Sequence, residues 1–168
     1  MEPYPAGAAL WGACLVTLVI DQLSKILVEA AGRSLFVTVI PGFFNVKYVK
    51  NHGGAWGFLA GADESFQMPF FVVSSVVAIA FLAWMRARVR LRRRWTGWGF
   101  PAILAGAVGN LIDRVRLGYV IDFLDFHAGG AHWPTFNVAD IGITVGVGLL
   151  ILDSFMPARL PQPPTPNS

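Results

Sequence analysis

The feature that most restricts this chain is its set of long apolar runs. A bilayer core about 30 Å thick needs about 20 helical residues, each rising 1.5 Å. Gln67 to Met85 carries no charge, and Trp95 to Ile112 carries none until Asp113. Ala8 to Val28 reaches the length if Asp21 and Lys25 lie within it, and Val138 to Met156 does so with Asp140 and Asp153 near its ends. These runs predict an all-α integral membrane protein with four transmembrane helices, at about 8–28, 67–85, 95–117 and 138–156. The composition agrees: 14% of the residues are charged, about half the fraction usual in a soluble domain.

Charge placement predicts the topology. Arg86, Arg88, Arg90, Arg92, Arg93 and Arg94 are six of the thirteen basic residues and sit between the second and third spans. This reads as a cytoplasmic juxtamembrane cluster, not a nucleic-acid-binding face. Both termini are then cytoplasmic, and the first span ends, the second starts, the third ends and the fourth starts at the outer face. A cleavable leader ending near Val28 and Ala30 fits less well, because no Lys or Arg precedes the apolar run and Asp21 and Lys25 interrupt it.

The segment 33–58 has another character. Leu35 to Ile40 and Phe43 to Val49 are β-branched and aromatic, with Pro41 and Gly42 between them. Two short strands joined by a turn are expected, in a small β-rich subdomain on the outer, periplasmic face. Gly53, Gly54 and Gly57 follow and mark irregular backbone. Residues 1–156 then form one membrane domain, and the proline-rich 157–168 a disordered cytoplasmic tail. Cys14, the sole cysteine, has no partner for an internal disulfide and reads as a packing residue.

Ionisable groups at membrane depth face a bundle interior, pair, or mark a functional site. Asp21 and Lys25 lie four apart on one helix face and can pair. Gly106, Asn110 and Arg114 form one stripe on the third span, the glycine leaving room for another backbone or a substrate. Gly118 is placed to end that helix, so Asp122 follows at the interface, while Asp140 falls in the first turn of the fourth span. The topology brings Asp21, Lys25, Arg114, Asp122 and Asp140 to one membrane level. Two carboxylates at one depth can act as a peptidase pair, one ionised and taking a proton from water, the other protonated and donating to the scissile carbonyl. Other hydrolytic chemistries lack their residues. There is no Gly-x-Ser-x-Gly, Cys14 has no nearby His in sequence, and His52, His127 and His132 lack metal-ligand spacing, His127 and His132 reading as interfacial loop residues. A structural reading of the same groups also exists: Asn137 to Asp140 as a helix cap, Asp21 with Lys25 as an ion pair, Asp113 and Asp125 as solvated interfacial groups. Spacing does not separate Asp125 from Asp122.

Five segments carry a resemblance: Asp21-Gln22-Leu23-Ser24-Lys25, Asn51-His52-Gly53-Gly54-Ala55-Trp56-Gly57, Gly109-Asn110-Leu111-Ile112-Asp113-Arg114, Val120-Ile121-Asp122-Phe123, and Trp133-Pro134-Thr135-Phe136-Asn137-Val138-Ala139-Asp140. In this order they resemble the lipoprotein signal peptidases, or signal peptidase II. The resemblance implies that Asp122 and Asp140 are the catalytic pair of an aspartic endopeptidase. It implies that Asn51, Gly53, Asn110, Arg114 and Asn137 shape the site or hold substrate, and that Asp21 and Lys25 support it. It selects Asp122 over Asp125. His52 and Gly54 depart from the family's usual small polar residue and Ala.

The implied substrate is a diacylglyceryl-modified prolipoprotein, cut before its lipidated cysteine at the outer side of a bacterial inner membrane. No metal or organic cofactor is implied. Expected partners are this substrate and membrane lipid, without nucleic acid, and the protein is expected to be a monomer. A small proton or ion conductor is the competing reading, since membrane Asp, Lys and Arg also build such pathways. A non-catalytic assembly factor docking through the β-rich piece is a third.

Overall fold

The computed structural model describes residues 7–54, 58–59, 61–88 and 94–156. Arg90, Arg92 and Arg93 of the basic cluster, Ala55, Trp56 and Gly57 of the glycine-rich segment, and the expected tail 157–168 lie outside the described residues. The elements run α1 (Gly7–Ala31), β1 (Phe36–Ile40), β2 (Phe44–Asn51), α2 (Glu64–Arg88), α3 (Arg94–Leu117), β3 (Val120–Ala128), β4 (Ala131–His132) and α4 (Val138–Phe155).

Local chemistry sets several of these boundaries. Before α2, the Asp63 side chain accepts from the Ser65 N–H and its carbonyl from that of Gln67, so two N–H groups of the first turn are satisfied. Gly118, with φ of +81°, ends α3, and its N–H closes onto the Arg114 carbonyl. Asn137 caps α4 by a reciprocal pair of hydrogen bonds with Asp140.

Among the described residues, three helices are long and apolar enough to cross a membrane, over Ala8–Ala31, Ser65–Arg86 and Val138–Phe155. Their large apolar side chains are exposed, among them Leu15, Ile20 and Leu27 on α1, Val73, Val77 and Phe81 on α2, and Val145, Ile151 and Phe155 on α4. In water that surface would be costly; in hydrocarbon it is the expected outer face. The third helix differs from the expectation of an apolar span. It packs against α1, α2 and α4 together, so it meets protein on several sides and needs less apolar character.

Glycine permits the closest of these approaches. A Cβ on Gly106 would overlap the Ala139 carbonyl oxygen, and one on Gly146 would lie 2.7 Å from the Gly99 carbonyl oxygen. The α3 and α4 backbones thus touch directly, bringing Asn110 to the level of Asp140.

At one end of the bundle an antiparallel sheet runs in the order β1-β2-β3-β4. The expected hairpin of β1 and β2 is present, with Phe36 opposite Lys47 and Ile40 opposite Phe44. The unexpected member is β3, which extends directly from α3 and pairs with β2, Asp122 opposite Val49 and Asp125 opposite Asn45. Val28, Ile121 and Phe123 form a buried cluster with Leu35, Tyr48 and Val138 around it, tying the sheet to the ends of α1 and α4.

Candidate active site

The Lys25 side chain is fully buried on α1. Its three donors are all used: 3.0 Å to Asp21 Oδ2, 3.0 Å to Asp113 Oδ2 and 2.9 Å to Asn110 Oδ1. The carboxylates it holds are themselves anchors. Asp21 Oδ1 accepts the Ala139 N–H at 2.8 Å, in the first turn of α4, and Asp113 Oδ2 accepts the Ile121 N–H at 3.1 Å, one residue before Asp122. One cation therefore ties α1 and α3 to the backbones that carry both candidate catalytic residues. Gly109 makes room for this, since a Cβ there would overlap Asp21 Oδ2.

The next layer consists of asparagines. Asn110, oriented by Lys25 on its oxygen, donates to Asp140 Oδ1 at 2.9 Å. Asn137 donates from its side chain to Asp122 Oδ1 at 2.7 Å and from its backbone to Asp140 Oδ2 at 3.2 Å, while its own oxygen accepts the Asp140 N–H. It thus touches both carboxylates. Asn51, the last residue of β2, donates to Asp122 Oδ2 at 2.9 Å, and its oxygen accepts the Gly53 N–H. Arg114 donates to the Gly53 carbonyl at 3.3 Å and lies over the Phe71 ring. Gly106 supplies no polar group and acts through its contact with Ala139.

Electrostatics distinguish Asp122. Burial, and then the charge of Asp140, push its carboxyl up to about 7, against opposing hydrogen bonds from Asn51 and Asn137 and the charge of Lys25. Asp125 goes the other way. Burial raises it, but hydrogen bonds from Lys47, Asn45 and His132 outweigh this and hold it well below the usual carboxylate range.

All ten site residues expected from sequence lie in or directly against this arrangement, and others join them. Asp113 and Asp125, read as solvated interfacial groups, are fully buried or nearly so. Asp113 is part of the Lys25 cluster; its spacing from Asn110 and Arg114 was the available signal. Gln22 donates to Asp21 at 3.0 Å and to the Gly109 carbonyl at 3.2 Å. His127 and His132 are strand residues rather than loop residues, paired across the β3–β4 hairpin. Their nitrogens and an Asp125 oxygen lie within 4.8 Å of one another, a set that could hold a metal ion despite its unpromising sequence spacing. In the arrangement observed, Asp125 already binds Lys47, Asn45 and His132.

The family model described as Signal peptidase (SPase) II matches residues 13–156. The chain belongs to the signal peptidase II family. It is 47% identical to the lipoprotein signal peptidase of Geobacter metallireducens over 146 residues, covering 86% of this chain and 88% of that one. It is 50% identical to that of Oleidesulfovibrio alaskensis over 139 residues, covering 82% and 88%. A bacterial membrane enzyme solved by the in meso method at 1.9 Å resolution superposes with a TM-score of 0.80 at 27% identity, covering 92% of this chain and 97% of that one. A second, at 2.3 Å resolution, gives 0.78 at 30% identity, covering 89% and 88%. Together with its apolar helices, these likenesses identify this member of the family as a membrane-embedded protein.

Proposed function

We propose that this protein is an aspartic endopeptidase that removes the signal peptide from diacylglyceryl-modified prolipoproteins, cutting before the lipidated cysteine, with Asp122 and Asp140 as its catalytic pair. The observation that carries the pairing is Asn137, which hydrogen-bonds both carboxylates. Two buried carboxyls brought this close to one side chain cannot both ionise cheaply, because burial and the charge of Asp140 outweigh the hydrogen bonds that favour ionised Asp122. Asp122, with its raised pKa, keeps the proton and donates it to the scissile carbonyl oxygen. Asp140, whose oxygens accept from Asn110 and from the Asn137 N–H at the start of α4, remains the carboxylate that removes a proton from the attacking water.

In this reading all four helices span a bacterial inner membrane, α3 shielded by the others. The sheet and both aspartates lie at the outer face, the termini are cytoplasmic, and the enzyme works as a monomer in lipid. The substrate's acyl chains enter from the bilayer beside the polar site. Purified protein incubated with a diacylglyceryl-modified prolipoprotein should yield the mass shift of cleavage before the cysteine. An unchanged mass, with folded protein present, would refute the reading.

A further inference from the structure

The β3–β4 hairpin gathers a set of side chains that the peptidase reading does not use. Asp125 and His127 are two apart on β3 and share one of its faces, and His132 lies opposite His127 on β4. Their ligand atoms, two imidazole nitrogens and a carboxylate oxygen, lie within 4.8 Å of one another. Asp122 points to the other face of β3, so this cluster is separate from the catalytic pair. The backbone around it is fixed. Gly129 and Gly130, with φ of +56° and +85°, make the turn, the His127 N–H donates to the Phe43 carbonyl, and the Trp133 N–H donates to that of Phe126. The Asp125 carboxylate is nearly fully buried and is aimed by Asn45, which donates to its Oδ2 at 3.1 Å. Its Oδ1 meets the Lys47 ammonium at 2.8 Å and His132 Nδ1 at 3.0 Å. That oxygen therefore already holds a cation. Two imidazoles and a carboxylate whose other oxygen is hydrogen-bonded are the donors of a zinc site with an open position.

We infer that Asp125, His127 and His132 bind one divalent transition-metal ion on the hairpin, with zinc the expected occupant. Two donors about 2.0 Å from a tetrahedral zinc stand about 3.3 Å apart, and His132 Nδ1 and Asp125 Oδ1 are already 3.0 Å apart. The metal replaces the hydrogen between them, and that proton passes to water. His127 closes the remaining distance by turning its ring. Lys47, whose side chain is 26% exposed, gives up Oδ1 and swings into solvent. Water completes the coordination, because the half-exposed His132 leaves the site open. Paired imidazoles favour zinc, nickel or copper over magnesium and calcium, which take oxygen donors. The ion is a brace and takes no part in cleavage. It locks β4 to β3, and β4 leads through Phe136 to Asn137, which touches both catalytic carboxylates.

The test uses the full chain in detergent, purified without a histidine tag, with Co²⁺ and Zn²⁺ as probes. One Co²⁺ per chain should bind, show the visible absorption of low-coordinate cobalt, and be displaced by Zn²⁺. Zn²⁺ should also raise the unfolding temperature, since it binds the folded chain. His127→Ala, His132→Ala and Asp125→Asn should each weaken binding by at least about tenfold and remove the Zn²⁺-dependent rise. Lys47→Met, which takes away the competing cation, should tighten binding. If Asp125→Asn does not fold, the two histidine variants and Lys47→Met carry the test, as His132 and Lys47 reach solvent. The inference is overturned if the parent shows no saturable binding at submillimolar Zn²⁺, or if binding is the same in the parent and both histidine variants. It is equally overturned if Lys47→Met weakens binding, or if His52→Ala is the substitution that abolishes it. None of these readouts depends on peptidase activity.

Discussion

Asp122 and Asp140 each accept hydrogen bonds on both oxygens, yet from different elements: Asp122 from β2 and the Asn137 side chain, Asp140 from α3 and the Asn137 backbone. Asp122→Asn and Asp140→Asn keep the size of each side chain while removing its acid-base function. Each should lower cleavage by at least about 10²-fold in a folded, membrane-inserted protein, and the double variant should be little worse than either single one. Asp125→Asn should keep substantial activity, because Asp125 is engaged by Lys47 and His132 away from this pair. The raised pKa of Asp122 adds a pH signature. Its folded value of about 7 exceeds the ordinary 3.8, so the protonated form favours the folded state. That contribution is complete below about 3.8 and is lost as pH rises toward 7. The unfolding temperature of the parent should therefore fall across this interval, and that of Asp122→Asn should fall less. Equal slopes would show that Asp122 is not the proton holder.

Among the elements, β3 explains what sequence reading could and could not separate. Side chains three apart on a strand point to opposite faces, so Asp122 meets Asn51 and Asn137 while Asp125 meets Asn45 and Lys47. Spacing could not choose between them because the segment after Gly118 was read as helix end and interface, although Val120, Ile121, Phe123 and Phe126 are strand-forming residues. The i, i+4 stripe of α3 and the Asp21–Lys25 pair were legible because helical period and membrane cost point the same way. Asp113, also a partner of Lys25 from α3, reads in sequence as an interfacial group although its spacing of three from Asn110 puts it beside that stripe. This junction should be sensitive. Lys25→Met leaves Asp21 and Asp113 buried without their cation and should destabilise the protein by about 3–5 kcal/mol, read as a lower unfolding temperature in detergent. Gly106→Ala should likewise separate α3 from α4 and lower activity, since its Cβ would displace the Ala139 carbonyl beside Asp140.

For the whole molecule, the arrangement is polar inside and apolar outside, with the charged cluster gathered beside the sheet. The Arg-rich connection should put a reporter fused after Arg94 in the cytoplasm, and one inserted near Asp63 outside. The opposite pattern would undo the topology under which the acidic residues meet at the outer face. The enclosed position of α3 also bears on how the chain is made. Asp113 and Asn110 find their partners on α1 and α4, and α4 is synthesised last. A nascent chain ending at Gly118 would present α3 to the insertion machinery without the neighbour that covers its glycine face. Under the proposed four-span topology its entry into the bilayer would therefore be a joint event, in which the final helix retains the one before it.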